Sequence, residues 1–138
     1  MFEKQFKERL SEWKQFRDML ETSNDPLSET VKFYSSAPFV TIQADPWDQS
    51  TWPGPWELLE DNLYCPFIKI LAICYTLQLT KRFSQSHFEI HITQDNNNIR
   101  YLLTVDNMFI GYDLDGCHVD EIPNDIIYEK TYNMRHLQ

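Results

Sequence analysis

Apolar side chains recur at spacings of three and four along the start of the chain: Phe2, Phe6, Leu10, Trp13, Phe16 and Leu20. Charged residues fill most of the intervening positions, so the pattern predicts an amphipathic helix from Phe2 to Leu20. Asn24-Asp25-Pro26 follows, a capping pair ahead of a proline whose fixed φ suits a first helical position. A shorter helix carrying Leu27, Val31 and Tyr34 is expected before Pro38 stops it, and the two form a helical hairpin.

Between Phe39 and Trp56 neither helical nor strand period survives. The stretch from Ala44 to Trp56 is proline, glycine and aspartate around Trp47, Trp52 and Trp56. Flexible linkers seldom carry three indoles, so an ordered loop is expected, with its rings against the core or a partner. Pro55 to Asp61 reads as a short helix. A second begins at Pro66 and runs to about Thr80, apolar on nearly every side through Phe67, Ile68, Ile70, Leu71, Ala72, Ile73, Leu77 and Leu79. A helix without a polar face must be central. Lys81 and Arg82 are assigned to its last turn, where cations complement the dipole.

Period two takes over in the C-terminal part. Phe88, Ile90 and Ile92 alternate with His87, Glu89 and His91, and Asp95-Asn96-Asn97-Asn98 supplies a turn. Strands at Ile99 to Val105 and Met108 to Asp113 meet across Asp106-Asn107, residue types that tolerate positive φ. Asp115-Gly116 is a further turn, and Ile126 to Tyr132 a last strand. The fold class is α+β: an N-terminal helical hairpin and a central buried helix packed on a small antiparallel sheet. Residues 1–138 form one domain, made of a helical part (1–38), a Trp/Pro-rich ordered loop (39–56) and an α+β core (57–138).

Composition narrows the chemistry. With 12 basic against 21 acidic side chains the net charge is -9, and no run of Lys or Arg builds a phosphate-binding face. Direct nucleic-acid binding is not expected, and the expected partners are other proteins. Cys65, Cys74 and Cys117 are an odd set in a chain without a signal-peptide pattern, which predicts free thiols in a reducing interior. The run from Phe67 to Leu79 is too short to cross a bilayer, so no membrane association is expected. Only Gly54, Gly111 and Gly116 occur, none in a phosphate-binding pattern, and no cofactor is expected.

Cys65 is the most suggestive single residue. Pro66 places it at the cap of the central helix, where the helix field favours a thiolate. The competing reading is a small buried filler, because a nucleophile needs a base. Pro55-Trp56-Glu57-Leu58-Leu59, then Cys65 opening an apolar helix, then strands ending in Gly111-Tyr112-Asp113, resembles the transglutaminase-like (papain-like) core. That resemblance implies Cys65 as nucleophile and Asp113 as orienter. Its histidine position falls at Arg100 or Tyr101, which implies a degenerate member unless His91 or His118 serves as base. Loss of one triad member costs on the order of a thousandfold in rate.

The histidines also invite a metal reading. His87 and His91 share a strand face but stand about 13 Å apart, too far for one ion, and Cys117-His118 is only a pair. No metal site is expected. Asp45, Asp48, Glu57, Glu60 and Asp61 surround the indoles; a carboxylate pair beside sugar-stacking rings is one reading, and capping of nearby helix starts is the preferred one.

The N-terminal helix with Trp13 and Phe16, the phrase Ala37-Pro38-Phe39-Val40, the belt from Asp45 to Leu58 and the ending Tyr75-Thr76-Leu77-Gln78-Leu79 together resemble small proteins of large tailed bacteriophages. The resemblance implies a viral protein located in the virion or the host cytoplasm. The leading expectation is a non-enzymatic interaction protein, a virion structural or assembly component, binding partners through Trp47, Trp52, Trp56, Trp13 and Phe16. The alternatives are a thiol hydrolase or acyltransferase using Cys65, and a small inhibitor of a host defence protein.

Overall fold

A computed structural model describes residues 1–111 and 125–135. Tyr112, Asp113, the Asp115-Gly116 turn, Cys117 and His118 therefore lie outside the described residues. The helices are α1 (Phe6–Leu20), α2 (Pro26–Tyr34), α3 (Pro55–Asp61) and α4 (Pro66–Gln78), with a 3-10 turn at Gln49–Thr51. The strands are β1 (Phe88–Asp95), β2 (Asn98–Val105), β3 (Met108–Gly111) and β4 (Ile127–Met134). They form one antiparallel sheet in the order β3-β2-β1-β4. This is the α+β arrangement, helices first and sheet last.

Prolines open three of the four helices among the described residues, where their missing N–H costs nothing. The Asp25 carboxylate caps α2 through the Ser28 amide. In α1 the helix starts at Phe6, not at Phe2; Phe2 instead turns inward against Tyr34 and Tyr64. The α1–α2 hairpin is joined by the stacked rings of Phe16 and Phe33, 3.9 Å between centroids.

Helix α4 is buried over almost its whole length because it is covered on both sides. The inner sheet face, with Phe88, Ile90, Ile92, Leu103, Val105 and Ile110, packs on one side, and the other helices on the other. Thr76 sits within this helix. Its hydroxyl donates to the Ala72 carbonyl (2.7 Å), so it accepts from both Trp13 Nε1 (3.0 Å) and the Tyr34 hydroxyl (2.8 Å). One buried acceptor thus fixes α1 and α2 on α4, and full burial pushes the Tyr34 phenol up.

Two charged positions differ from the sequence expectation. Helix α4 ends at Gln78, so Lys81 and Arg82 fall beyond its last turn. Their backbone amides instead donate to the Glu21 carboxylate at 2.8 and 2.9 Å, and Arg82 Nη1 reaches the Leu20 and Ser23 carbonyls at the end of α1. Glu60 and Asp61 lie in the last turn of α3 and not near a helix start; only Glu57 is in a first turn. The buried Arg9 guanidinium meets the free carbonyls at that end, donating to Leu59 O and Glu60 O as well as to Lys4 O.

The β1–β2 hairpin closes on Asn96 and Asn97, both at positive φ (48° and 68°), as a two-residue turn requires. At the β2–β3 turn only Asp106 takes positive φ. Gly111 has φ +120°, and a Cβ there would stand 2.5 Å from the Tyr101 carbonyl oxygen. Glycine at this position is therefore a steric requirement of the β2–β3 pairing.

Candidate interaction surface

The loop from Phe39 to Gly54 is built by its own short hydrogen bonds. A parallel bridge between Phe39 and Tyr64, with Val40 N to Tyr64 O at 3.1 Å and Tyr64 N to Pro38 O at 3.0 Å, fixes its first end beside the entry to α4. Asp45 organises the middle: its carboxylate accepts from Trp47 N (2.9 Å), its carbonyl from Trp52 Nε1 (2.9 Å), and its amide donates to Thr51 Oγ1 (3.0 Å). The Asp48 carboxylate caps the 3-10 turn through Ser50 N. The second end is held by the Tyr75 hydroxyl, which donates to Pro53 O at 2.7 Å. Hydrogen bonds thus hold this stretch at both ends and across its middle.

The tryptophans divide by environment. Trp52 is the anchor, its ring 4.8 Å from Phe67 and 4.6 Å from Tyr132. Trp13, expected to face a partner, is 1 % exposed; its bond to Thr76 and the Arg17 guanidinium 4.5 Å above its ring assign it to the core. Phe16 is half-buried in its stack with Phe33. Trp47 and Trp56 remain 52 % exposed, Trp56 leaning edge-on against Trp13.

Within this loop two more exposed apolar side chains were not among the expected partner contacts: Phe39 at 67 % and Ile42 at 78 %. Both lie where no period exists, so no buried face could be assigned to them, and that lack of a face was the available signal. Beside Ile42, a pocket of about 360 Å³ opens between Thr41–Pro46 and Cys65–Phe67, closed by Tyr101. Burial, and after it the neighbouring Cys65 and Asp45, pushes the Tyr101 phenol up.

Cys65 is the N-cap of α4, as expected, but it is 3 % exposed and its side chain makes no capping bond. His91 does not accompany it. Strand alternation puts His91 on the sheet face opposite Ile90 and Ile92, hence away from α4. Both ring nitrogens are engaged there, Nδ1 with Thr131 Oγ1 at 2.8 Å and Nε2 with Thr104 Oγ1 at 3.1 Å, and burial lowers the imidazole pKa. The geometry thus rules out His91 as the base for Cys65. His87 shares that outer face, with Nε2 3.7 Å from the Glu89 carboxylate. His118 and Asp113, the other proposed members, lie outside the described residues. Cys74 is fully buried in α4, which pushes its thiol up.

Among the described residues, no three His, Cys, Asp or Glu side chains gather to hold a metal ion, and no helix is long and apolar enough to cross a membrane. No protein-family model, curated protein or solved structure matches this chain.

Proposed function

We propose that this chain is a non-enzymatic interaction protein, a structural or assembly component of a tailed-phage virion, that presents its 39–56 loop to a protein partner. The observation that supports it is the exposure of Phe39, Ile42 and Trp47 on a loop tied down by its own hydrogen bonds. Exposed apolar side chains on ordered backbone are the usual anchors of protein interfaces.

The test is a photo-crosslinking residue at Trp47, with the same probe at the exposed Lys14 as the comparison, introduced while particles assemble. The expected result is a Trp47 adduct that sediments with particles, and none from Lys14. Adducts of equal yield at both positions overturn the interaction reading. A Trp47 adduct found only with a soluble host protein replaces the virion component by the inhibitor of a host defence protein.

The thiol-enzyme reading keeps one supporting observation, the pocket beside Cys65. It requires Cys65 to alkylate faster than Cys74 and Cys117 near neutral pH. Uniformly slow alkylation removes it.

A further inference from the structure

The pocket beside Ile42 lies in an unusual electrostatic setting. From residue 33 to residue 68 the chain contains Asp45, Asp48, Glu57, Glu60 and Asp61 and no lysine or arginine. All five acidic side chains are exposed. Their hydrogen bonds come from neutral groups: Asp45 from the Trp47 amide, Asp48 from Ser50, Glu57 from the Gly54 amide and Asp61 from Gln43 Nε2. The salt bridges among the described residues involve Glu3, Glu12, Asp18, Glu89 and Asp95, and none of these five. None of the five therefore forms an ion pair within the described residues.

Position ties this charge to the apolar cavity. Asp45 itself lines the pocket, and Asp48 follows it, its amide bonded to the Asp45 carbonyl. Asp61 reaches the same loop through Gln43, which lies between the lining residues Ile42 and Ala44. The walls are mostly carbon: Ile42, Ala44, Pro46, Pro66, Phe67 and the ring of Tyr101. An apolar recess with one carboxylate in its lining and two more tied to the same loop suits an apolar side chain carried between cations.

Resting on the interaction reading above, we infer that this pocket receives one large apolar side chain from a basic segment of a partner protein, whose Lys or Arg residues face Asp45, Asp48 and Asp61. A volume of about 360 Å³ is ample for an aromatic side chain. Burying the ring supplies affinity, while the carboxylates supply orientation and a salt-dependent association rate.

Fluorescence anisotropy of the full chain with synthetic peptides tests this directly. The probes are Lys-Lys-Trp-Lys-Lys, the same peptide with Gly in place of Trp, and a Glu-Glu-Trp-Glu-Glu control. The Trp peptide is expected to bind about tenfold tighter than the Gly peptide, and the acidic control at least about tenfold weaker than its basic counterpart. Ile42→Ser shrinks the Trp-over-Gly ratio without weakening the Gly peptide. The triple change Asp45→Asn, Asp48→Asn, Asp61→Asn weakens both basic peptides and flattens their salt dependence; asparagine keeps the loop's hydrogen bonds. Equal binding of Trp and Gly peptides, equal binding of acidic and basic peptides, or no binding at all overturns the pocket proposal. The Trp47 crosslink separates this failure from that of the interaction reading. An adduct undiminished by Ile42→Ser leaves the loop as an interface with an unused pocket, whereas no Trp47 adduct with any protein, in particles or in the soluble fraction, removes the interface itself.

Discussion

Helix α1 and the 39–56 loop both contribute large aromatic side chains, yet they are held in place in opposite ways. Helix α1 depends on distant partners: Trp13 on Thr76, Arg9 on the end of α3, Glu21 on the amides after α4. Between its two clamped ends the loop depends mainly on itself, through Asp45, Asp48 and Thr51, with the Trp52 ring packed on Phe67 and Tyr132. In α1 the aromatic rings stabilise the fold, and their loss is a folding event. At the loop surface the rings of Phe39 and Trp47 stand on backbone whose hydrogen bonds do not involve them, so substitution there is expected to separate binding from stability.

The strongest challenge to this contrast is Trp13→Ala. Removing the ring opens a cavity beside α4 and takes away one donor to Thr76, so unfolding free energy in urea is expected to fall by about 4 kcal/mol. A loss under about 1 kcal/mol would mean that α1 is not part of the cooperative unit. Gly111→Ala comes next, at about 3 kcal/mol, from an unfavourable φ and a clash with the Tyr101 carbonyl. It asks whether the β2–β3 edge belongs with the rigid side of the comparison, and a melting temperature close to wild type would say that it does not. Glu21→Ala removes the acceptor for two amides and should cost about 1 kcal/mol by the same urea titration. Trp47→Ala is the smallest, within about 0.5 kcal/mol of wild type, with loss of the particle adduct when the crosslinker is moved to Phe39. A Trp47 substitution that destabilises as much as Trp13→Ala would erase the distinction between the two regions.

The sequence was most readable where local chemistry decides. Pro26, Pro55 and Pro66 mark helix starts because a ring-locked φ is a local property, and the alternation from Phe88 to Ile92 marks a strand with one face in the core. Partner choice was not readable. Trp13 and Trp47 are the same residue type, and only the position of Thr76 in the folded chain makes one of them core. Arg9 reads as one more charge on a solvated helix face, because the carbonyls it caps lie fifty residues away. His91 alternates with apolar neighbours and so reads as exposed, yet it is 6 % exposed between two threonine hydroxyls. The Cys65 position at the start of α4 was legible from Pro66; the separation of Cys65 from His91 by the thickness of a sheet was not.

Tyr75 and Tyr64 clamp the two ends of the loop onto the core, and Asp45 closes it across its width. A segment restrained in this way has already given up most of its backbone entropy when the chain folds. Encounter with the proposed partner would then resemble the docking of two shaped solids, not the collapse of a disordered tail onto a surface. In the proposed complex, bound lifetime would be set chiefly by the exposed rings of the loop, and the rate of capture by its carboxylates.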